Sequence, residues 1–230
     1  LCFFINLSAF NISVNADTAC YVTLSIEKFT LGLGYYLEPI KIQFSAGDNL
    51  SKILINCIGK DNCKYTGDPD NSFYLTAIKD SDSKTPIIPQ YIIDKSKISV
   101  IHPLVYTKNE PEWLSQADYY YMSGWLFSVN NTFISTGMSS CYPQNGDVIR
   151  LQYSVSGYGK DLGSGSDGWV KTANKDSLTK AVAEINSSQG KDKILSNESV
   201  KTAYNNAYTV LTNIESEQTK VDDAYASLMA

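Results

Sequence analysis

The sequence offers a single histidine, His102, and that scarcity narrows its chemistry at once. A Ser-His-Asp or Cys-His device would have to run through His102, which lies beside Pro103 with no flanking motif of either kind. No His, Cys or carboxylate grouping has zinc spacing, and no HExxH occurs, so no metal site and no catalytic residue is expected. Basic residues are also few. Nineteen Lys and Arg against 24 Asp and Glu leave a net charge of -5 with no basic cluster, which excludes the phosphate-rich surface of a nucleic acid as partner. No apolar run is long enough to span a bilayer. With 43% hydrophobic and 19% charged residues the chain is nonetheless an ordinary globular composition, and 230 residues hold one large domain or two small ones.

What is present in quantity is tyrosine, at 16 residues. The stretch from Asp118 to Gly163 gathers much of it, with two runs rich in aromatic and β-branched residues, Asp118–Asn131 and Val148–Tyr153, on either side of turn chemistry. Asn145-Gly146-Asp147 supplies the turn, and Val148, Ile149, Leu151 and Tyr153 nearly alternate with Arg150 and Gln152, as in a strand with one buried face. If Tyr119, Tyr120 and Tyr121 form a strand they cannot all face the core. They are candidate ligand-contacting residues, because a ring with a polar tip gives large contact area at low entropy cost. Tyr142, Tyr153 and Tyr158 stand near them in sequence; cross-strand packing is the competing use of all these rings. Trp125 is assigned to the core.

Upstream, Cys20–Thr30 and Tyr36–Phe44 alternate apolar and polar residues around Gly32 and Gly34, predicting a hairpin. Leu50, Ile53, Leu54, Cys57 and Ile58 fall at helical spacing, with Asp48 or Ser45 as cap and Gly59 as stop. Phe73–Ile78 reads as a short strand. Tyr91–Ile93 and Ile98–Ile101 are strands or buried loops, and Trp113-Leu114 starts a helical turn. Asp68, Asp70, Asp80 and Asp82 read as solvated loop carboxylates, lacking the glycine and terminal glutamate of a calcium loop. Gly163–Gly168 spells GxGxxG but precedes a polar segment, so it reads as a flexible connection. Beyond Asn174, three amphipathic helices follow, marked by Leu178, Val182 and Ile185, by Val200–Ile214, and by Val221–Leu228.

Five cysteines stand at 2, 20, 57, 63 and 141. Leu1–Leu7 is apolar and Val14-Asn15-Ala16 offers small residues at a cleavage position, so residues 1–16 read as the tail of a secretory signal, an N-terminal strand being the alternative. Without Cys2, four cysteines permit three pairings, of which Cys57 with Cys63 and Cys20 with Cys141 is the expected set in an exported protein.

Three groups of residues carry a resemblance: Gly124-Trp125-x-x-Ser128-Val129-Asn130, Tyr142-Pro143-x-x-Gly146-Asp147-x-Ile149 and Gly159-Lys160-Asp161-Leu162-Gly163. With Val22–Thr30, Glu38-Pro39, Gly47-Asp48 and Ser72–Leu75, they make roughly residues 20 to 165 similar to the transcobalamin-like C-terminal domain of bacterial surface proteins. The resemblance implies an α+β fold, a β-grasp-like mixed sheet packed on one helix. Ala203, Ala207, Val210-Leu211 and Gln218–Asp222 with Ala224 resemble the FIVAR helical repeat of bacterial wall proteins, implying a small antiparallel helical bundle. The expected plan is residues 1–16 signal remnant, 17–165 β-grasp-like domain, 166–173 linker and 174–230 helical domain. The expected function is a non-catalytic, secreted or cell-surface ligand-binding or adhesion module, part of a larger surface protein. Its ligand would be a small molecule, a wall glycan or a host surface protein, held by Tyr119, Tyr120, Tyr121, Tyr142, Tyr158, Lys160 and Asp161. No cofactor is expected; the alternative function is binding of cobalamin or another corrinoid, as in the C-terminal domain of transcobalamin.

Overall fold

The computed structural model describes residues 19–230, so the segment read as a signal remnant lies outside the described residues. Strands β1 (Cys20–Glu27) and β2 (Tyr35–Phe44) form the expected antiparallel hairpin. Helix α1 (Leu50–Ile58) follows, capped by Asn49, whose side-chain oxygen accepts from Lys52 N at 3.1 Å; the expected caps Ser45 and Asp48 instead close the preceding turn with each other. Gly59 ends the helix at φ 86°, a value that costs a residue without Cβ nothing.

Next come β3 (Cys63–Thr66), β4 (Tyr74–Lys79), a short helix α2 (Gln90–Lys95) and β5 (Trp113–Ser115). Two expectations change here. Tyr91–Ile93 is helical, with Ile92 buried, and Trp113-Leu114 is a strand edge that pairs with Lys79 and Ile78, because that pairing buries Leu114 fully. The remaining strands are β6 (Gly124–Val129), β7 (Thr132–Phe133) and β8 (Val148–Ser154). Helices α3 (Asp176–Asn186), α4 (Lys191–Leu195), α5 (Glu198–Thr212) and α6 (Gln218–Met229) complete the chain; α4 adds a turn beyond the three helices expected.

The result is a mixed α+β fold with two sheets. The larger runs β2-β1-β8-β6-β7, with β1 and β8 parallel at its centre and every other pair antiparallel; the smaller, β3-β4-β5, is antiparallel throughout. Period-two alternation sorts the large sheet into two faces. Val22, Leu24, Ile26, Phe127, Ile149 and Leu151 form one, packed against Leu50, Ile53 and Leu54 of α1 and Leu75 and Ile78 of β4.

The opposite face carries Thr23, Ser25, Glu27, Ser128, Arg150 and Gln152, and it too is buried. Helix α3 and the chain entering it lie over this face. The expectation that β8 has one buried face is therefore corrected: the helical segment roofs the second. Glu27 and Arg150 meet there in a two-pronged ion pair at 2.8 and 2.7 Å, and Gln152 donates to Ser128 at 3.3 Å. Lys175 points its ammonium at the carbonyls of Leu211 and Asn213, at 2.9 and 2.6 Å. At the β2 edge, Ser187 accepts from Lys41 N at 2.8 Å and Asn186 donates to Pro39 O at 2.9 Å. Apolar contacts among Leu178, Val182, Ala207, Leu211, Val221 and Ala224 hold the helices to one another.

Candidate functional site: an uncharged aromatic cleft

The tyrosine triplet is not a strand. Asp118 is buried and its carboxylate accepts from Asn109 N at 2.8 Å and Ser115 N at 2.7 Å, which folds the chain into a turn. Ala117 and Tyr119 take φ of 62° and 66°, values that non-glycine residues adopt only when surroundings compel it. Tyr153 is the compelling partner: its hydroxyl is 2.8 Å from Ser123 Oγ and donates to Ser115 O at 2.7 Å from beneath the turn. Tyr119 and Tyr120 therefore point inward, 3% and 1% exposed, and join a second apolar cluster with Leu31, Ile92 and Leu114. That removes both from the candidate ligand face. Tyr121 points outward and stacks on His102 with ring centres 4.1 Å apart.

Asp161 is likewise a framework residue. It is fully buried, accepts from Ser154 Oγ at 2.7 Å and from the amides of Val155 and Ser156 at 2.7 and 3.0 Å, and so fixes the loop after β8. Burial pushes its carboxyl up to about 6, against the opposing pull of these donors. The fixed loop holds Gly157-Tyr158-Gly159 entirely at positive φ and leaves Tyr158 74% exposed. Gly157 is needed for space as well, since a Cβ there would stand 2.8 Å from the Trp169 ring. Lys160 turns to the surface and pairs with Asp167, while its carbonyl accepts from Trp169 N at 2.7 Å. In the 166–173 segment, expected as a linker, Trp169 packs on the second cluster and Ala173 is buried.

These loops wall an open cleft of about 430 Å³. Tyr121 and Tyr158 line it, joined by Tyr74, Gln116 and one side of Trp125. Trp125, expected in the core, is half-buried: it meets Tyr153 edge to face at 5.1 Å and donates from Nε1 to Leu114 O at 3.2 Å, leaving its remaining surface to the cleft. Tyr74 and Gln116 were not legible as site residues, although one signal existed. Tyr74 is a large aromatic alternating with the buried Phe73 and Leu75, and it is bonded to Gln116 at 2.7 Å. Tyr142 is exposed but is not among the cleft's walls.

The remaining candidates have structural occupations. Cys57, Cys63 and Cys141, expected in the pairs Cys57–Cys63 and Cys20–Cys141, pack in the first core, and no disulfide is seen among the described residues. Cys63 Sγ lies 3.6 Å from Lys60 O, and burial pushes the Cys57 thiol up to about 11. Asp80 and Asp82 both take Lys28, at 3.0 and 3.2 Å, and Asp70 takes Lys52. Among the described residues no group of three His, Cys, Asp or Glu is placed to hold a metal, and no helix is long and apolar enough to cross a membrane. Compared with protein-family models and with curated proteins, the chain gives no match.

Proposed function

We propose that this protein is a non-catalytic, extracellular ligand-binding or adhesion module of a bacterial surface or secreted protein, with a β-grasp-like first part and a FIVAR-like helical second part. The carrying observation is the cleft walled by Tyr74, Tyr121, Trp125 and Tyr158, which is large enough for a small ligand and offers rings and an amide with no ionised group. Concave, mostly apolar surfaces with a few fixed polar groups are the usual form of a ligand site. The rings reach it from two strands and two loops, and strained residues and buried carboxylates hold the loops in place. The parallel pair β1–β8 between two antiparallel hairpins, with α1 on one face, supports the β-grasp reading.

The experiment is a titration of the full chain with cobinamide, cobalamin and neutral wall-type oligosaccharides. Tryptophan emission is followed throughout, with visible absorbance added for the corrinoids. A ligand of this cleft changes the Trp125 signal and loses roughly tenfold or more in affinity in the Tyr74→Ala/Tyr158→Ala variant, while the fold melts unchanged. Binding that this double variant leaves intact contradicts the assignment of the cleft.

A further inference from the structure

The sheet face under α3 is not filled completely. A cavity of about 50 Å³ remains between β8, the turn after β6 and the chain entering α3, with Ser128, Asn131, Arg150, Gln152, Thr172 and Lys175 among its walls. That is room for about two water molecules or one small ion. Two of these walls are buried cations, Lys175 at 2% exposure and Arg150 at 8%. Among the described residues, the Lys175 ammonium donates only to the carbonyls of Leu211 and Asn213, so its charge has no counterion in contact. Arg150 gives Nε and Nη2 to Glu27, and its Nη1 makes no hydrogen bond among the described residues. The carboxylates that act on Arg150, Glu27 and Asp176, are not among the cavity walls. At Lys175 the repulsion from Arg150 outweighs the attraction of Glu27.

Uncharged donors complete the lining. Ser128 Oγ accepts from Gln152, which leaves its own hydrogen to give, and the Thr172 hydroxyl has no partner among the described residues. A buried ammonium without a counterion is costly, and the cost is relieved either by loss of its proton or by arrival of an anion. We propose that this cavity binds one small monovalent anion, a halide such as chloride or a planar carboxylate such as formate, between Lys175, Arg150 and the hydroxyls of Ser128 and Thr172. The volume admits neither a sugar phosphate nor a nucleotide. Because Arg150 stands on β8 and Lys175 in the chain entering α3, the ion would join the sheet to its helical cover from within. Stability of the fold would then follow anion concentration by mass action. The site shares no wall with the aromatic cleft and is independent of the function proposed for it.

The test is urea unfolding of the full chain at about pH 6, below the value of about 7 to which burial lowers Lys175. Sodium gluconate, too large for the cavity, is replaced stepwise by sodium chloride or sodium formate at constant ionic strength. With either small anion in roughly tenfold excess over its dissociation constant, the unfolding equilibrium constant should fall about tenfold, and the effect should saturate. The salt that saturates at the lower concentration tells a halide site from a carboxylate site. Lys175→Met should abolish the dependence. In the isotope-labelled wild-type chain, amide shifts on addition of the same salt should concentrate at Ser128, Arg150, Gln152, Thr172 and Lys175, a readout that stands even if the variant does not fold. Unfolding that is identical in gluconate, chloride and formate overturns the site and leaves the cavity to water. An anion effect that persists in folded Lys175→Met, or wild-type shifts spread over surface lysines instead of the cavity, overturns it equally.

Discussion

The two faces of the five-stranded sheet are both buried, yet one is held by apolar packing and the other by charge. On the α1 side, Leu24, Ile26, Ile149 and Leu151 meet Leu50, Ile53 and Leu54 with no polar group to satisfy. On the α3 side, Glu27, Arg150, Gln152 and Lys175 are equally withdrawn from water, and each must find a partner or be penalised. An apolar face tolerates an imprecise cover, whereas a buried ion pair requires its cover to exclude water and complete the remaining bonds. The helical segment of this chain is thereby fixed to one position on the sheet.

The sharpest way to break this comparison is at Glu27. Glu27→Ala leaves Arg150 buried beside Lys175 without its carboxylate, and the expected loss is about 3–5 kcal/mol in urea unfolding. Replacing both partners with apolar residues, Glu27→Leu with Arg150→Met, should recover most of that loss. If the double variant is as unstable as the single one, the pair itself and not the stranded charge is what stabilises this face. On the apolar side, Leu24→Ala should cost about 2–5 kcal/mol by opening a cavity under α1. No second substitution on the polar face should relieve it.

Acidity separates the regions further. Burial pushes Asp161 up to about 6, so between the ordinary carboxylate value and 6 the folded chain holds a proton that the unfolded chain has released, and stability falls as pH rises through that window. Burial and the nearby Arg150 push Lys175 down to about 7, so from 7 toward the ordinary lysine value the unfolded chain is the one holding the extra proton, and stability rises again. Chemical denaturation across pH should therefore show a shallow minimum between about 6 and 7. Lys175→Met should remove the alkaline limb while Asp161→Asn removes the acid one. The smallest effects belong to the cleft: Tyr74→Ala and Tyr158→Ala should each change unfolding free energy by no more than about 0.5 kcal/mol, because both rings are mostly in solvent.

Residue spacing announced part of this arrangement. The β1–β2 hairpin and α1 were legible because one face of each is apolar and the periods are clean. β8 misled because Arg150 and Gln152 look solvent-facing until a distant segment covers them, and no local pattern reports a cover 25 residues downstream. The composition of Tyr119–Tyr121 suits a strand, yet Asp118 and the hydroxyl of Tyr153 turn it into a loop, a long-range effect invisible in spacing. Of the expected site tyrosines, Tyr121 and Tyr158 line the cleft, Tyr119 and Tyr120 are core, and Tyr142 stands apart.

The most direct measurement is a backbone amide shift map of the isotope-labelled full chain on addition of whichever oligosaccharide or corrinoid binds. The account predicts shifts concentrated at Tyr74, Tyr121, Gly124–Phe127 and Tyr158, with Glu27, Arg150 and Lys175 unmoved. Shifts centred instead on the sheet face beneath α3, or on the exposed loop around Tyr142, would contradict it.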